Sequence, residues 1–302
     1  MRSIKALLLA ASFLALTGCA VNVGGSARRA DVPPPPAAVP APPAVVPGPA
    51  DDPRLNATLY MQQAEELRRL SRQAFALATI RLPAALRQPG SAALEQADGG
   101  AGKPPAVIFD VDETVLDNSP HQARAILGGV RHFDLGLWDE WLSERAATPM
   151  PGAVDFVKEL RRNNVRVVYI TNRECRPRPA SPGQDCPQHA DTIANLNAVG
   201  LGPVAPEDLM LKGQGGWPSD KAPRRIKVAE THRIIMSLGD QFSDMMSVTR
   251  RDDSTARARI AADHEALWDT RWVVIPNPTY GQWLDVLPAP TTDMLRPEIR
   301  QP

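Results

Sequence analysis

Apolar residues recur along the chain in two patterns, short unbroken runs and longer stretches spaced for a helix. The runs are Ala106-Val107-Ile108-Phe109, Val165-Arg166-Val167-Val168-Tyr169-Ile170, Arg233-Ile234-Ile235-Met236-Ser237-Leu238 and Trp272-Val273-Val274-Ile275. Runs this short and this apolar suit strands buried on both faces. Helical spacing fills residues 152–163, 188–199, 221–231 and 254–267. Strands separated by helices of this length predict an α/β fold, a Rossmann-like parallel sheet with helices on both faces. Ahead of it, Leu59, Leu67, Leu70, Ala74 and Leu77 recur within residues 55–82, with Glu65, Glu66, Arg68, Arg69 and Arg72 between them. This predicts one amphipathic N-terminal helix that packs those apolar residues on the main domain. A Gly-, Ala- and Pro-rich loop spans residues 90–105, and no internal repeat is visible.

The first residues follow neither pattern. Arg2 and Lys5 precede an apolar stretch at 6–16 and then Leu16-Thr17-Gly18-Cys19. A basic start, a short apolar region and small residues at a cut site describe a signal peptide, here residues 1–18. The stretch is too short to span a bilayer, which takes about 20 apolar residues. Leu-Thr-Gly-Cys resembles the bacterial lipobox, which implies that Cys19 is lipidated and becomes the mature N-terminus. More than one acyl chain is what stable anchoring requires. Ala20 after the cysteine implies sorting to the outer membrane, so the expected partner is a membrane reached through Cys19. Residues 19–53 hold nine of the 31 prolines between Pro33 and Pro49. They read as an extended tether whose proline-rich part reaches roughly 50 Å. Residues 54–302 form the folded domain.

Charge and cysteine count sharpen this picture. Lys plus Arg and Asp plus Glu each number 34, and the sequence has no long basic run, so a nucleic-acid polymer is excluded as partner. Loss of Arg2 and Lys5 with the signal leaves the mature chain at about −2. The 43% hydrophobic content supports a packed core. Three cysteines are too few for a disulfide scaffold and wrongly spaced for structural zinc. With Cys19 lipidated, one pair remains in an oxidising compartment. A Cys175–Cys186 disulfide is therefore expected, closing a loop beside the site at a gain of roughly 2–3 kcal/mol. Two free buried thiols are the alternative.

In a parallel sheet the ligand site lies beyond the C-terminal ends of the strands. The run at 106–109 ends in Asp110-Val111-Asp112-Glu113-Thr114, that at 165–170 in Thr171-Asn172-Arg173, and that at 233–238 in Gly239-Asp240-Gln241-Phe242-Ser243-Asp244. Lys221 opens the helix between the last two. If these three strands are parallel neighbours, four Asp, a Thr and a Lys converge on one rim. Clustered carboxylates repel unless a cation neutralises them, and a hard oxygen site suits Mg²⁺. One carboxylate can attack phosphorus, and a second two residues on can protonate the leaving oxygen.

Phe-Asp-Val-Asp-Glu-Thr-Val-Leu-Asp-Asn-Ser at 109–119 resembles the first motif of the haloacid-dehalogenase-like superfamily, specifically its four-aspartate phosphatases. The likeness narrows to the class C acid phosphatases, the bacterial lipoprotein acid phosphatase and 5′-nucleotidase family. It rests on Thr171-Asn172-Arg173, Thr192-Ile193-Ala194-Asn195-Leu196 ending at Gly200, Leu209-Met210-Leu211-Lys212, and Lys221 with Arg224. Gly239-Asp240 with Asp244, and Pro276-Asn277-Pro278-Thr279-Tyr280-Gly281-Gln282-Trp283, complete it. The resemblance implies a Mg²⁺-dependent acid phosphatase working through an aspartyl-phosphate. Asp110 would be nucleophile and metal ligand. Asp112 would be general acid, then base, giving its main-chain carbonyl to the metal. Thr171 would bind phosphoryl oxygens with Asn172 nearby, Lys221 would pair with the phosphoryl group and Asp110, and Asp240 and Asp244 would hold Mg²⁺. The one departure near the metal is Gln241-Phe242-Ser243, where relatives carry Asn and smaller residues.

The family also caps its site with helical elements and stacks the leaving group on aromatic rings, which here implies a small cap within 113–150. Trp138 and Tyr280 are the expected substrate contacts, while Trp141 and Trp283 read as core and Trp217 as part of a surface loop. Stacking tolerates base identity, which fits a 5′-nucleotide or nicotinamide mononucleotide. No His has a partner at metal or catalytic spacing, though His121 and His132 fall near the site. Relatives that are dimers imply a homodimer here too. A rival reading is a non-catalytic surface lipoprotein that binds haem or a nucleotide on a phosphatase fold. It is disfavoured because every carboxylate and the lysine are present. A phosphotransferase acting on another alcohol is chemically open, but phosphorylated acceptors are scarce outside the cell.

Overall fold

The structure, a computed structural model, describes residues 48–248, 253–288 and 295. The expected signal peptide, Cys19 and the expected tether as far as residue 47 lie outside the described residues. Among those described, no helix is long and apolar enough to cross a membrane.

Five parallel strands form the sheet: β1 (Pro105–Phe109), β4 (Arg166–Glu174), β5 (Leu209–Lys212), β6 (Arg233–Gly239) and β7 (Trp272–Val274), in the order β5-β4-β1-β6-β7. The two short strands β2 (Leu116–Asp117) and β3 (Thr148–Pro149) pair antiparallel outside it. The helices are α1 (Leu55–Gln63), α2 (Glu65–Arg87), α3 (Ser119–Leu127), α4 (Leu135–Glu144), α5 (Ala153–Arg162), α6 (Pro187–Ala198) and α7 (Ala222–Ala229). After β6 come α8 (Ser254–Ala262), α9 (Glu265–Thr270) and, last, α10 (Gln282–Asp285).

The period of two along the central strands separates two apolar layers. Val107 and Phe109 of β1 join Val167 and Tyr169 of β4 on one face, against Phe75, Phe156 and Leu160. Ala106 and Ile108 join Val168 and Ile170 on the other, against Ile234, Val228 and Trp272. Both layers are closed, so unbroken apolar strands are what the fold needs, as the sequence pattern predicts. Phe156 meets Phe75 tilted at 6.1 Å and Phe109 edge-on at 5.9 Å between ring centroids, which fastens α2 through α5 to β1.

Three elements differ from the periodicity reading. The expected single helix over 55–82 breaks at Ala64, where the backbone turns extended (φ −75°, ψ 121°), and α2 then runs through Pro83 to Arg87. Its buried face is Leu67, Ser71, Phe75, Ala78, Leu82 and Ala85. Leu59, Leu70 and Leu77 are exposed instead, because Leu70 and Leu77 sit a quarter turn or more from the centre of that stripe, which lies near Ser71. The stretch at 254–267 divides into α8 and α9, with His264 at the break, its Nδ1 bonded to Ile260 O at 2.8 Å. Leu209–Lys212 is an edge strand that a four-residue run did not announce as one.

The cap is formed by α3 and α4, with β2 and β3 closing its base. Asp134 starts α4 by accepting from Gly136 N and Leu137 N at 2.8 and 2.9 Å. Described residues ahead of 54 also make contacts. Arg131 of the cap loop donates to Gly48 O and Asp51 O at 2.9 and 3.1 Å, and buried Asp52 pairs with Arg54 at 2.8 Å. Cys175, near the end of β4, and Cys186, just before α6, are joined in a disulfide.

If Phe75 fastens α2 while Leu70 faces water, Phe75→Ala should cost about 3–5 kcal/mol in urea unfolding. Leu70→Ser should stay within about 0.5 kcal/mol of the parent.

Candidate active site

All the charged residues singled out at the strand ends lie at the C-terminal rim of the sheet, but in two groups. Asp110 directly follows β1, its N–H donating to Leu238 O of β6 at 2.9 Å. Asp240 follows β6, and Asp244 ends the short 3-10 turn Phe242–Asp244. Carboxylate oxygens of Asp110, Asp240 and Asp244 lie within 4.8 Å of one another. Lys221, at the N-cap of α7, reaches in from the side: its Nζ donates to Asp110 Oδ1 and, at 2.6 Å, to Asp244 Oδ1. Thr114 Oγ1 sits 3.3 Å from Asp240 Oδ1, and Asn277 Nδ2 donates to Asp240 Oδ2 at 2.8 Å.

The backbone allows this crowding at one position above all. An ideal Cβ on Gly239 would fall 2.2–2.4 Å from Oδ2, Cβ and Cγ of Asp244, so only glycine lets the turn fold back beside Asp240. Asp244 Oδ2 also accepts from Gln241 N at 2.9 Å, which closes the turn. The Gln241-Phe242-Ser243 insert thus leaves the spacing of the two carboxylates intact, and Phe242 packs on Trp268 at 5.1 Å.

Asp112 belongs to the second group. Its Oδ1 accepts from Asn118 Nδ2 at 2.9 Å and from Arg173 Nε and Nη2 at 3.0 and 2.8 Å. Thr171 Oγ1 lies 3.2 Å from Oδ2, so Thr171 faces Asp112 across the gap between β1 and β4. Asn172 turns the other way and is exposed, its Oδ1 accepting from Arg224 Nη2 at 2.7 Å. It buttresses Arg224 rather than joining the carboxylates. Trp138 is half-buried in the cap and lies over Arg173, with the guanidinium carbon 5.8 Å from its ring centroid.

Tyr280, an expected substrate contact, is half-buried and its hydroxyl is engaged by the protein. Its hydroxyl points inward and donates to Glu113 Oε2, which ties the loop after β7 to the turn after β1. Trp141 is core, as the sequence suggests, and donates its indole N–H to Asn118 Oδ1 at 2.8 Å. Trp283 is not core: it is exposed, its indole N–H donating to Tyr280 O at 3.2 Å. Trp217 packs in part against the second apolar layer. His121 is buried edge-on to Trp138 at 5.0 Å, and His132 is exposed.

Sequence reasoning gave no role to Glu113, Asn118, Arg173, Arg224 or Arg225. Glu113 is buried at a positive φ of 56° and accepts from Asn118 N at 2.8 Å. Arg224 and Arg225 are fully buried neighbours on α7 that reach in different directions. Arg224 donates to Thr171 O at 2.6 Å, at the end of β4. Arg225 donates to Ser243 O at 3.3 Å and pairs with Glu95 of the loop at 90–105. Two adjacent arginines one turn after a candidate site lysine were the available signal, since such residues are rarely buried without partners.

Burial dominates the electrostatics. It pushes Asp110 up to about 7 against the pull of Lys221, with Asp244 and Asp112 adding repulsion. It likewise raises Asp240 well above the ordinary carboxylate value, reinforced by Asp244 and Asp110. For Lys221 burial opposes the charge, but Asp110 and Asp244 outweigh it and hold its pKa above the usual value. Three buried carboxylates against one ammonium leave a deficit of positive charge. A hard divalent cation fits it, with oxygen donors from Asp110, Asp240 and Asp244. Because Asp244 depends on the missing Cβ, Gly239→Ala should weaken divalent-cation binding by about 10–100-fold, read by Mn²⁺ titration in electron paramagnetic resonance.

The family model for the haloacid-dehalogenase superfamily, subfamily IIIB (acid phosphatase), matches residues 52–283. The class C acid phosphatase of Bacillus anthracis has a similar structure, with a TM-score of 0.65 and 31% identity over 82% of this chain and 92% of that one. Its tungstate-bound form matches at 0.65 and 32%, over 78% and 88%. A stem 31 kDa glycoprotein of Glycine max is 26% identical over 57% of this chain and 58% of its own length. Acid phosphatase 1 of Solanum lycopersicum is 28% identical over 46% and 51%. The chain thus spans about half the length of these plant relatives. With the family model covering most of the folded part and the strand-end carboxylates in place, the chain belongs to the subfamily IIIB acid phosphatases of the haloacid-dehalogenase superfamily.

Proposed function

We propose that this protein hydrolyses small phosphomonoesters, 5′-nucleotides or nicotinamide mononucleotide among them, with Mg²⁺ and through an aspartyl-phosphate. The observation that carries this reading is the buried triad Asp110, Asp240 and Asp244 facing Lys221, with Asp112 held separately beside it. Bound Mg²⁺, held by Asp110, Asp240 and Asp244, would neutralise the carboxylates and withdraw charge from the phosphoryl oxygens.

The chain's own groups divide the remaining work. Asp110 attacks phosphorus as the ester oxygen departs, giving an acyl phosphate. Lys221 keeps the Asp110 carboxylate aimed and offers an N–H to the phosphoryl group, beside the Thr171 hydroxyl. Asp112 gives a proton to the leaving oxygen. Its Oδ1 is held by Asn118 and by Arg173 Nε and Nη2 at 2.8–3.0 Å, while Oδ2 meets Arg173 Nε only at 3.3 Å, so Oδ2 is the oxygen freer to carry that proton. The Thr171 hydroxyl facing Oδ2 can then turn from donor to acceptor. In the second half Asp112 takes a proton from water, which attacks the acyl phosphate and frees phosphate and Asp110. One B. anthracis relative was solved with tungstate bound. A tetrahedral oxyanion is the species this group of donors would receive.

The cap supplies a surface for the alcohol. Trp138 over Arg173 stands next to Asp112, where the leaving oxygen must be. An aromatic or nucleobase leaving group can stack there with little regard for its identity. The inward hydroxyl of Tyr280 makes it a support for Glu113, so Trp138 is the principal contact.

Phosphate release from p-nitrophenyl phosphate and a nucleotide panel should require divalent metal and stop with chelator. Asp110→Asn should lose at least about a thousandfold in kcat. Full activity in that variant, or none in the parent with Mg²⁺, overturns the mechanism. The Leu-Thr-Gly-Cys motif supports outer-membrane anchoring through Cys19. Cys19→Ser should abolish metabolic labelling with fatty acid and release the protein from the membrane fraction.

A further inference from the structure

The disulfide loop is bound to the cap. Cys175 directly follows β4 and Cys186 caps α6, and their bond holds the ends of segment 176–185 with Cα atoms 4.8 Å apart. Much of that segment is exposed, yet Arg178 is 9% exposed and its guanidinium is shared between two elements. Nε and Nη2 donate to Asp139 of α4 at 2.9 and 3.1 Å, and Nη1 donates to Asp191 of α6 at 2.7 Å. Gln188 of α6 also donates to Asp139, at 2.8 Å. Arg176 donates to Leu135 O at the start of α4, at 3.0 Å, and Arg145 at its end donates to Asp191 at 2.9 Å. The cap helix is therefore tied at its start, middle and end to the disulfide loop and α6.

These ties add to what otherwise holds α4, namely Trp141 and Leu142 in the apolar layer, the Trp141 N–H on Asn118 Oδ1 and the Arg124–Glu144 pair, and they alone among these bind it to the disulfide loop and α6. Of its ten residues, Asp139, Trp141 and Leu142 are the buried ones, and helices this short are marginal alone. Burial works against the charge of Asp139, but Arg178 and Gln188 outweigh it and keep its carboxyl below the ordinary value. Trp138 is the residue before Asp139 and lies over Arg173, which grips Asp112. The rotation of α4 thus sets where Trp138 stands relative to the general acid.

We propose that Arg178, held in place by the Cys175–Cys186 bridge, is a positioning residue for leaving-group selection, fixing α4 and through it Trp138. The proposal rests on the reading that the cap receives the alcohol. Its consequence is that loosening the clamp harms aromatic and nucleobase esters and spares small aliphatic ones, because the carboxylates and Lys221 are untouched. A dithiol does the same by converting the bridge to two thiols while itself closing to a cyclic disulfide. Lysine cannot replace Arg178, since one ammonium does not reproduce the fork that spans both carboxylates.

The test compares Arg178→Gln, Asp139→Asn and the dithiol-treated parent, the last needing no altered chain to fold. Amide exchange in residues 135–144 should quicken at least about tenfold in all three, with α2 and β1 unchanged. KM for a 5′-nucleotide should rise about tenfold, equivalent to 1.4 kcal/mol, while KM and kcat for glycerol phosphate change less than about threefold. Unchanged exchange in 135–144, or equal losses on both esters, overturns the clamp. If the untreated parent turns over neither ester, the functional reading falls, and exchange in 135–144 alone still upholds or overturns Arg178 as the anchor of α4.

Discussion

Mutual repulsion among three buried carboxylates is the constraint around which this protein is arranged. Asp110, Asp240 and Asp244 come from two strand ends and one turn, and a single ammonium, Lys221, stands among them. Left to themselves such groups would separate or take up protons, as the raised Asp110 and Asp240 indicate. They stay together because each is held by a different part of the chain. Thr114 and Asn277 hold Asp240, the Gln241 N–H and the bare Cα of Gly239 admit Asp244, and the β1–β6 pairing fixes Asp110. A rigid site with unmet positive charge suits a cation and a phosphoryl group entering together.

The parallel sheet makes that convergence possible. In strand order, β4, β1 and β6 are neighbours, so the residues after each meet at one edge although far apart in sequence. Asp112 sits one step aside, with Arg173 and Thr171 of β4 rather than with the triad. Two carboxylates separated by a single residue thereby acquire different partners: Asp110 meets Lys221 among buried carboxylates, and Asp112 meets Arg173, Asn118 and Thr171. In the proposed mechanism, environment more than residue type divides nucleophile from acid.

Much of this is visible in the chain. Four of the five sheet strands are unbroken apolar runs, and their terminal Asp, Thr and Lys residues stand out because strand ends of a parallel sheet are where ligands bind. Less visible is anything set by packing between distant segments. The phase of α2 depends on Phe75 meeting Phe156, which no local count of leucines reveals, so the leucine spacing puts Leu70 and Leu77 on the wrong face. Tyr280 has the composition of a stacking ring, but its hydroxyl is claimed by Glu113, a partner 167 residues away. Arg173, Arg224 and Arg225 are legible as residues and illegible as supports, because their acceptors are mostly main-chain carbonyls or carboxylates on other elements.

The arginine pair on α7 carries one more implication. Lys221, Arg224 and Arg225 occupy a little over one helical turn and serve three destinations: the carboxylates, the end of β4, and the turn bearing Asp244. Each residue added to a helix rotates all later side chains by about 100°. A one-residue insertion or deletion between positions 221 and 224 would therefore detach both arginines from their acceptors at once. Segment 221–225 is consequently a stretch whose length is fixed as firmly as its charged residues, and circular permutation or domain insertion must be sited elsewhere.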